Sequence, residues 1–287
     1  MALPAVPYPA RWEREAAKVY RAAMREILAG IMDRIAPILE ADRADAAEPH
    51  NDNAVSRATL AAIRKALTAL RTHSLLGAPS RLIKALARIA EGVFNHVEER
   101  TNAGLRSVVA IDIVSESATP AMIEAWATKN AALIRKLQPE AIGDLQRMVF
   151  RGVADGTTTA DLSTQIKARF GVDRRKADFW ARDQVSKLNA QVTQAKQTKL
   201  GVKQYQWVSS GDERVRPTHR ANNGRIFDWD KPPPVTGHPG EDYNCRCRAA
   251  PVLPGDTAES LQAEADARAK AQAIREARAA PILARRR

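Results

Sequence analysis

The sequence predicts a mainly α protein: an extended helical N-terminal region, a small α+β C-terminal domain, and a helical basic tail. Three observations predict it. Aromatic residues are only 5% of the chain while hydrophobic residues reach 45%, and alanine is abundant, a mixture that favours helices because alanine loses no side-chain entropy in one. Apolar residues recur at three- and four-residue steps through most of the first 200 positions, the period of an amphipathic helix. After Gly201 the pattern changes to alternation with Tyr and Trp, the period of a strand.

The first ten residues carry Pro4, Pro7 and Pro9 and read as an extended arm, since proline fixes φ and removes a donor. From Arg11 to about Leu39, Trp12, Ala16, Val19, Ala23, Ile27, Ile31 and Ile35 mark one helical face, which Pro37 is expected to kink or end. Residues 41–53 are polar and read as a loop. A second helix is predicted over Ala54–Thr72, broken by Gly77 and Pro79, and a third over Ser80 to about Arg100. The stretch 106–114, RSVVAIDIV, is β-branched and reads either as a short strand or as an extended connector.

Thr119-Pro120 has the form of an N-cap followed by proline at the first helical position. A helix to Leu137 follows, and Pro139 begins another that Gly152 and Gly156 close. Thr159 caps a short helix ended by Gly171, and a long helix then runs to Gly201. VKQYQWVSS reads as a strand, Asn222-Asn223-Gly224 as a turn, Arg225–Phe227 as a short strand, and Cys245–Val252 as another. Residues 257–280 are Ala-rich and charged, as in a solvated helix, and the chain ends on Arg285, Arg286 and Arg287. The expected organisation is a helical region over 1–172, a compact domain over 173–253 and a charged tail over 254–287.

The net charge is +12 and the pI about 10.0. Such a balance suits a soluble basic protein, or one with a negatively charged partner such as nucleic acid or an acidic protein face. Two cysteines, Cys245 and Cys247, make no disulfide framework and suit a reducing, cytosolic place of synthesis. No apolar run approaches the roughly 20 residues that a bilayer span needs, and MALPAVPYPARWERE lacks the apolar core of a signal peptide. No membrane role and no Sec-type export are expected.

The densest chemistry lies between Phe179 and Pro251. In GDERVRPTHRANNGRIF, the residues Asp212, Glu213, Arg214, Arg216, His219 and Arg220 crowd one loop. Loops of this kind carry catalytic groups, and they are also common as salt-bridged, solvated surface. In HPGEDYNCRC, residues two apart would share one face of a strand. Cys245 and Cys247 would then point the same way, and His219 and His238 would complete a Cys2His2 set for a structural zinc ion. The spacing matches no standard finger, and the alternative is that both cysteines are small buried hydrophobes.

Taken together, ARDQVSKLNAQ, YQWVSSGDERVRPTHRANNGRIFDWDKPPP and GHPGEDYNCRC resemble the C-terminal domain of the phage Mu protein F-like family of minor head proteins. The pieces fall in order across about 75 residues, an order far more specific than any single motif. The resemblance implies a minor structural protein in the virion head interior, synthesised in the host cytoplasm and acting in head morphogenesis. It implies contact with the portal and major capsid proteins, made by the 1–172 helices. It also implies non-specific electrostatic contact with packaged double-stranded DNA, and passage with the DNA on ejection. Family members richer in cysteine carry a second pair in the loop after the first strand, where this chain has Arg216 and His219. The domain also occurs joined to toxin modules.

Two other function classes compete. One is a metal-dependent enzyme, a nuclease or transferase effector using the Asp212–His219 loop, in which a bound metal would activate water. Against it, the chain has no phosphate-binding glycine loop, no nucleophile elbow and no paired histidines on one helix. The other is a free DNA-binding regulator, which would need a helix-turn-helix or an aromatic-basic pattern that the sequence lacks.

Overall fold

The computed structural model describes residues 3–45, 55–109, 119–155 and 157–257, together with 260, 261, 263 and 266. Six helices and three strands are defined among them: α1 (Ala10–Asp45), α2 (Arg57–Ala69), α3 (Pro79–Val109), α4 (Pro120–Ala154), α5 (Thr159–Lys199), β1 (Gln204–Val208), α6 (Pro217–Ala221), β2 (Ile226–Asp228) and β3 (Arg248–Val252). The predicted class, mainly α with a small α+β part near the C-terminus, is the observed one. The predicted loop at 41–53 is instead helical through Asp45, where α1 ends, and the stretch 106–114, read as strand or connector, is helical through Val109, where α3 ends; their remainders and most of the 257–280 helix lie outside the described residues. No described helix is long and apolar enough to cross a membrane.

The helices run longer than their punctuation predicts. Pro37 lies inside α1 and Pro139 inside α4. Each proline removes one hydrogen bond to the carbonyl four residues back, here Asp33 and Arg135. Both prolines and both of those residues are exposed, so water can serve the freed carbonyls. The buried stripes continue across both breaks, with Ile35 and Leu39 on one side and Leu137 and Ile142 on the other. Gly171 does not end a helix either, since α5 passes through it. One helix-interior glycine costs only about 1 kcal/mol, and buried residues flank it at Leu162, Ile166, Ala177 and Ala181. The α5 cap is Thr158 rather than Thr159: its Oγ1 accepts the Asp161 backbone N–H at 3.1 Å.

The chain divides into two compact units. One comprises Arg14–Ile89 and Pro120–Arg182. Its core is aliphatic, with Ile27, Ile31, Ile35, Ile63, Leu67, Leu86, Ile134, Ile142 and Leu145 fully buried. Buried polar groups there are paired, as dry interiors require. Tyr20 donates to Asn130 Oδ1 at 2.6 Å. Gln138 donates to the carbonyls of Leu70 and His73, at 2.8 and 2.6 Å, and accepts from Leu75 N–H at 2.9 Å.

The other unit comprises Met1–Glu13, Ala90–Thr119 and Asp183–Arg287. It contains a three-stranded antiparallel sheet in the order β2-β1-β3. Tyr205 pairs with Phe227 on one side and Pro251 on the other, and Trp207 pairs with Ala249. Alternation along β1 sends Tyr205 and Trp207 into a cluster with Trp229, Cys245, Cys247 and Ala249. Val208, on the opposite face, packs with Ala250 and with Ala5 of the N-terminal arm. Strands of five, three and five residues are too few to be stable alone, and the end of α5 supports them. Gln197, buried, donates to the Ala249 carbonyl and accepts from Trp229 Nε1, both at 3.1 Å.

Candidate metal centre

His219, Cys245 and Cys247 converge in the sheet-bearing unit, and all three are buried. His219 comes from α6, a single turn begun by Pro217 at its first position, where the ring's fixed φ is already helical. The cysteines differ from expectation in one respect. They do not lie in a strand, because β3 starts only at Arg248. They reach one side through a turn in which Cys245 N–H donates to the Asp242 carbonyl at 3.1 Å and Asn244 adopts φ 51°. Asparagine tolerates that left-handed region better than most residues. The Asn244 N–H is held by Asp183 of α5 at 3.0 Å, and the Ser186 hydroxyl donates to the Cys245 carbonyl.

His219 Nδ1 lies 3.4 Å from Cys245 Sγ and 3.6 Å from Cys247 Sγ. His219 Nε2 faces Asp242 Oδ2 at 3.1 Å. A carboxylate only accepts, so Nε2 carries the proton and Nδ1 turns a lone pair toward the two sulfurs. Asp242 is itself held by Arg216, whose Nη1 lies 3.0 Å from Oδ2; Arg216 also donates to the Tyr243 carbonyl at 2.8 Å. The Gly240 N–H donates to Cys245 Sγ at 3.3 Å. Cys247 receives the Ser210 backbone N–H and lies against the Trp207 indole. The Cys247 thiol donates to Cys245, which pulls Cys245 down to about 6 and holds Cys247 above the ordinary thiol range.

The fourth sequence candidate, His238, is elsewhere engaged. Its Nδ1 lies 2.9 Å from the Tyr205 hydroxyl, and its ring also bonds the Trp229 backbone. Burial holds its imidazole below the usual range, against the opposing pull of Glu241. Burial and, after it, the Glu241 charge push the Tyr205 phenol up. The charged loop is drawn into pairs: Asp212 meets Arg246 at 2.5 Å and accepts Arg214 N–H at 3.1 Å. Sequence reasoning missed Asp242, the partner of His219. Its only signal was its place three residues before Cys245.

Residues 143–250 match the sequence profile described as Phage Mu protein F like protein. This segment belongs to the Phage Mu F like family. The Mu F like segment holds all three members of the buried trio, along with Asp242 and Arg216. An uncharacterized protein of Haemophilus influenzae is 39% identical over 164 residues, covering 55% of this chain and 36% of the relative. A protein of Enterococcus faecalis named NAD(+)--arginine ADP-ribosyltransferase EFV is 24% identical over 139 residues, covering 43% of this chain and 28% of the relative. The chain thus spans about a third of the length of these curated relatives. No solved structure matches it.

Proposed function

We propose that this chain is a minor structural protein of a phage head, acting in head morphogenesis in the head interior beside the portal. The observation that carries the reading is the Mu F like segment at 143–250, with its ordered loop, turn and Cys-Arg-Cys pieces. The helices over 1–172 would supply the docking surface for portal and capsid proteins through their exposed faces, since their aliphatic stripes are buried in the core. The net charge of +12 suits packaged double-stranded DNA, met through phosphates without sequence preference; passage with the DNA on ejection belongs to the same reading. Cryo-EM and cross-linking of assembled heads test it. The expected result is cross-links from the 1–172 helices to portal or capsid protein, and absence of the chain from purified particles refutes the reading.

A second reading is an effector enzyme, favoured by the relative named as an arginine ADP-ribosyltransferase and by the Asp212–His219 loop. Against it, Asp212 is paired with Arg246 and His219 is buried against Asp242, an arrangement that suits structure better than proton transfer to a substrate. Nuclease and ADP-ribosylation assays on wild type and His219→Ala decide it. Equal background activity in both ends this reading.

A further inference from the structure

The geometry points to a zinc site with three protein ligands, His219 Nδ1, Cys245 Sγ and Cys247 Sγ. The sequence pattern suggests a four-residue set including His238; the structure separates that residue from the trio and supplies a different fourth participant, Asp242, behind the imidazole.

Three independent observations carry the assignment. The first is spacing. Tetrahedral zinc with Zn–S of about 2.3 Å and Zn–N of about 2.0–2.1 Å places sulfur and nitrogen about 3.6 Å apart. The two observed separations are 3.4 and 3.6 Å, so each nitrogen–sulfur pair stands at the separation the ion would hold. The second is direction. With Nε2–H committed to Asp242 at 3.1 Å, the Nδ1 lone pair is the atom offered to the sulfurs. A carboxylate on the far nitrogen of a ligating histidine is the usual way of fixing its tautomer and raising its basicity. Arg216 fixes that carboxylate in turn. The third is the donor cradle. Cys245 Sγ receives Gly240 N–H, and Cys247 receives Ser210 N–H. The buried Trp207 indole N–H is directed at Cys247 and favours its anionic form. Such N–H groups favour anionic sulfur, the form that binds a metal.

The consequence is a clamp. The ion would tie the β1–β2 connection, through α6, to the entry of β3, closing a loop in a sheet too small to hold itself. Small domains commonly use a metal for this purpose.

The test uses the full chain, purified under reducing conditions without chelator and without added metal, and assayed for metal by mass spectrometry. The expected result is about one zinc per chain. After removal with a chelator, titration with Co2+ should develop the ligand-field and thiolate charge-transfer absorption of a tetrahedral site, and Zn2+ should abolish it. Asp242→Asn preserves a hydrogen-bond acceptor for Nε2 and so retains the fold; it should weaken Zn2+ binding by roughly 10–100-fold. His238→Gln should leave Zn2+ affinity within about twofold, since a residue outside the coordination sphere adds no ligand. A zinc content near zero, no tetrahedral Co2+ spectrum, or a Cys245–Cys247 disulfide in the purified chain overturns the site. Loss of binding in a folded His238→Gln variant overturns the three-ligand assignment. A virion assay does not enter these readouts, so the site and the head-protein reading can fail separately.

Discussion

Gly240 packs the cysteine-bearing loop against α5, and replacing it by alanine separates two costs. The residue sits at φ +92°, and a Cβ there would lie 2.5 Å from Ala190 Cβ and 3.3 Å from the Ser186 carbonyl. An L-residue in the left-handed region costs about 1–2 kcal/mol, and forcing a methyl into a packed helix surface costs about 1–3 kcal/mol more. Gly240→Ala should therefore destabilise the sheet-bearing unit by about 2–5 kcal/mol. Gly224 is the internal control: its φ is +81° and a Cβ there would meet nothing within 4 Å. Gly224→Ala should lose only the conformational part, about 1–2 kcal/mol. Adding Ala190→Gly to Gly240→Ala removes the collision and introduces a helix glycine costing about 1 kcal/mol. A double-mutant cycle should then return about 1–3 kcal/mol of favourable coupling. The measurements are urea unfolding by tryptophan fluorescence, and hydrogen exchange over β1 as the local readout. If Gly240→Ala costs no more than Gly224→Ala, the loop does not approach α5 as described.

Other outcomes follow from single contacts. Gln197→Ala strands the Ala249 carbonyl and the Trp229 indole N–H together, and should cost about 2–4 kcal/mol in the same unfolding assay, from two buried groups at about 1–3 kcal/mol each with partial relaxation; a loss below about 1 kcal/mol would mean water replaces the amide. Tyr20→Phe leaves Asn130 Oδ1 without its 2.6 Å donor and should cost about 1–3 kcal/mol, read by hydrogen exchange over α1 and α4; unchanged protection would count against that pairing. His238 is held neutral by burial, so its folded pKa lies below the unfolded value of about 6.5. The folded state binds fewer protons than the unfolded one, so this contribution is present above about pH 6.5 and is lost as pH falls below it. In chelator-treated protein, His238→Gln should flatten the fall in urea midpoint between about pH 7.5 and 5.5; an identical slope in both proteins would refute that assignment.

Much of the helical region was legible because burial imposes a 3.6-residue period on the sequence, and the stripe from Ala16 to Ile35 shows it directly. Helix ends were less legible. Pro37, Pro139 and Gly171 carry strong local signals for termination, yet each local cost is a few kcal/mol or less, and a buried stripe continuing on both sides outweighs it. The strand over Gln204–Val208 was plain from its alternation, while the cysteines were assigned to a strand that begins three residues after Cys245.

The sequence by itself pointed to the family through the motifs between Phe179 and Pro251 and to the residue types able to bind a metal there: two thiols with one residue between them, and two histidines before them. Only the tertiary structure decided which histidine meets the thiols. Spacing along the chain says nothing about where a ring nitrogen points. His219 is aimed by a one-turn helix and an Asp242 carboxylate 23 residues away, and His238 is drawn off by Tyr205 33 residues away. Those partners are fixed by packing of β1 and the loop before β3 against α5, a consequence of the folded chain that no local pattern encodes.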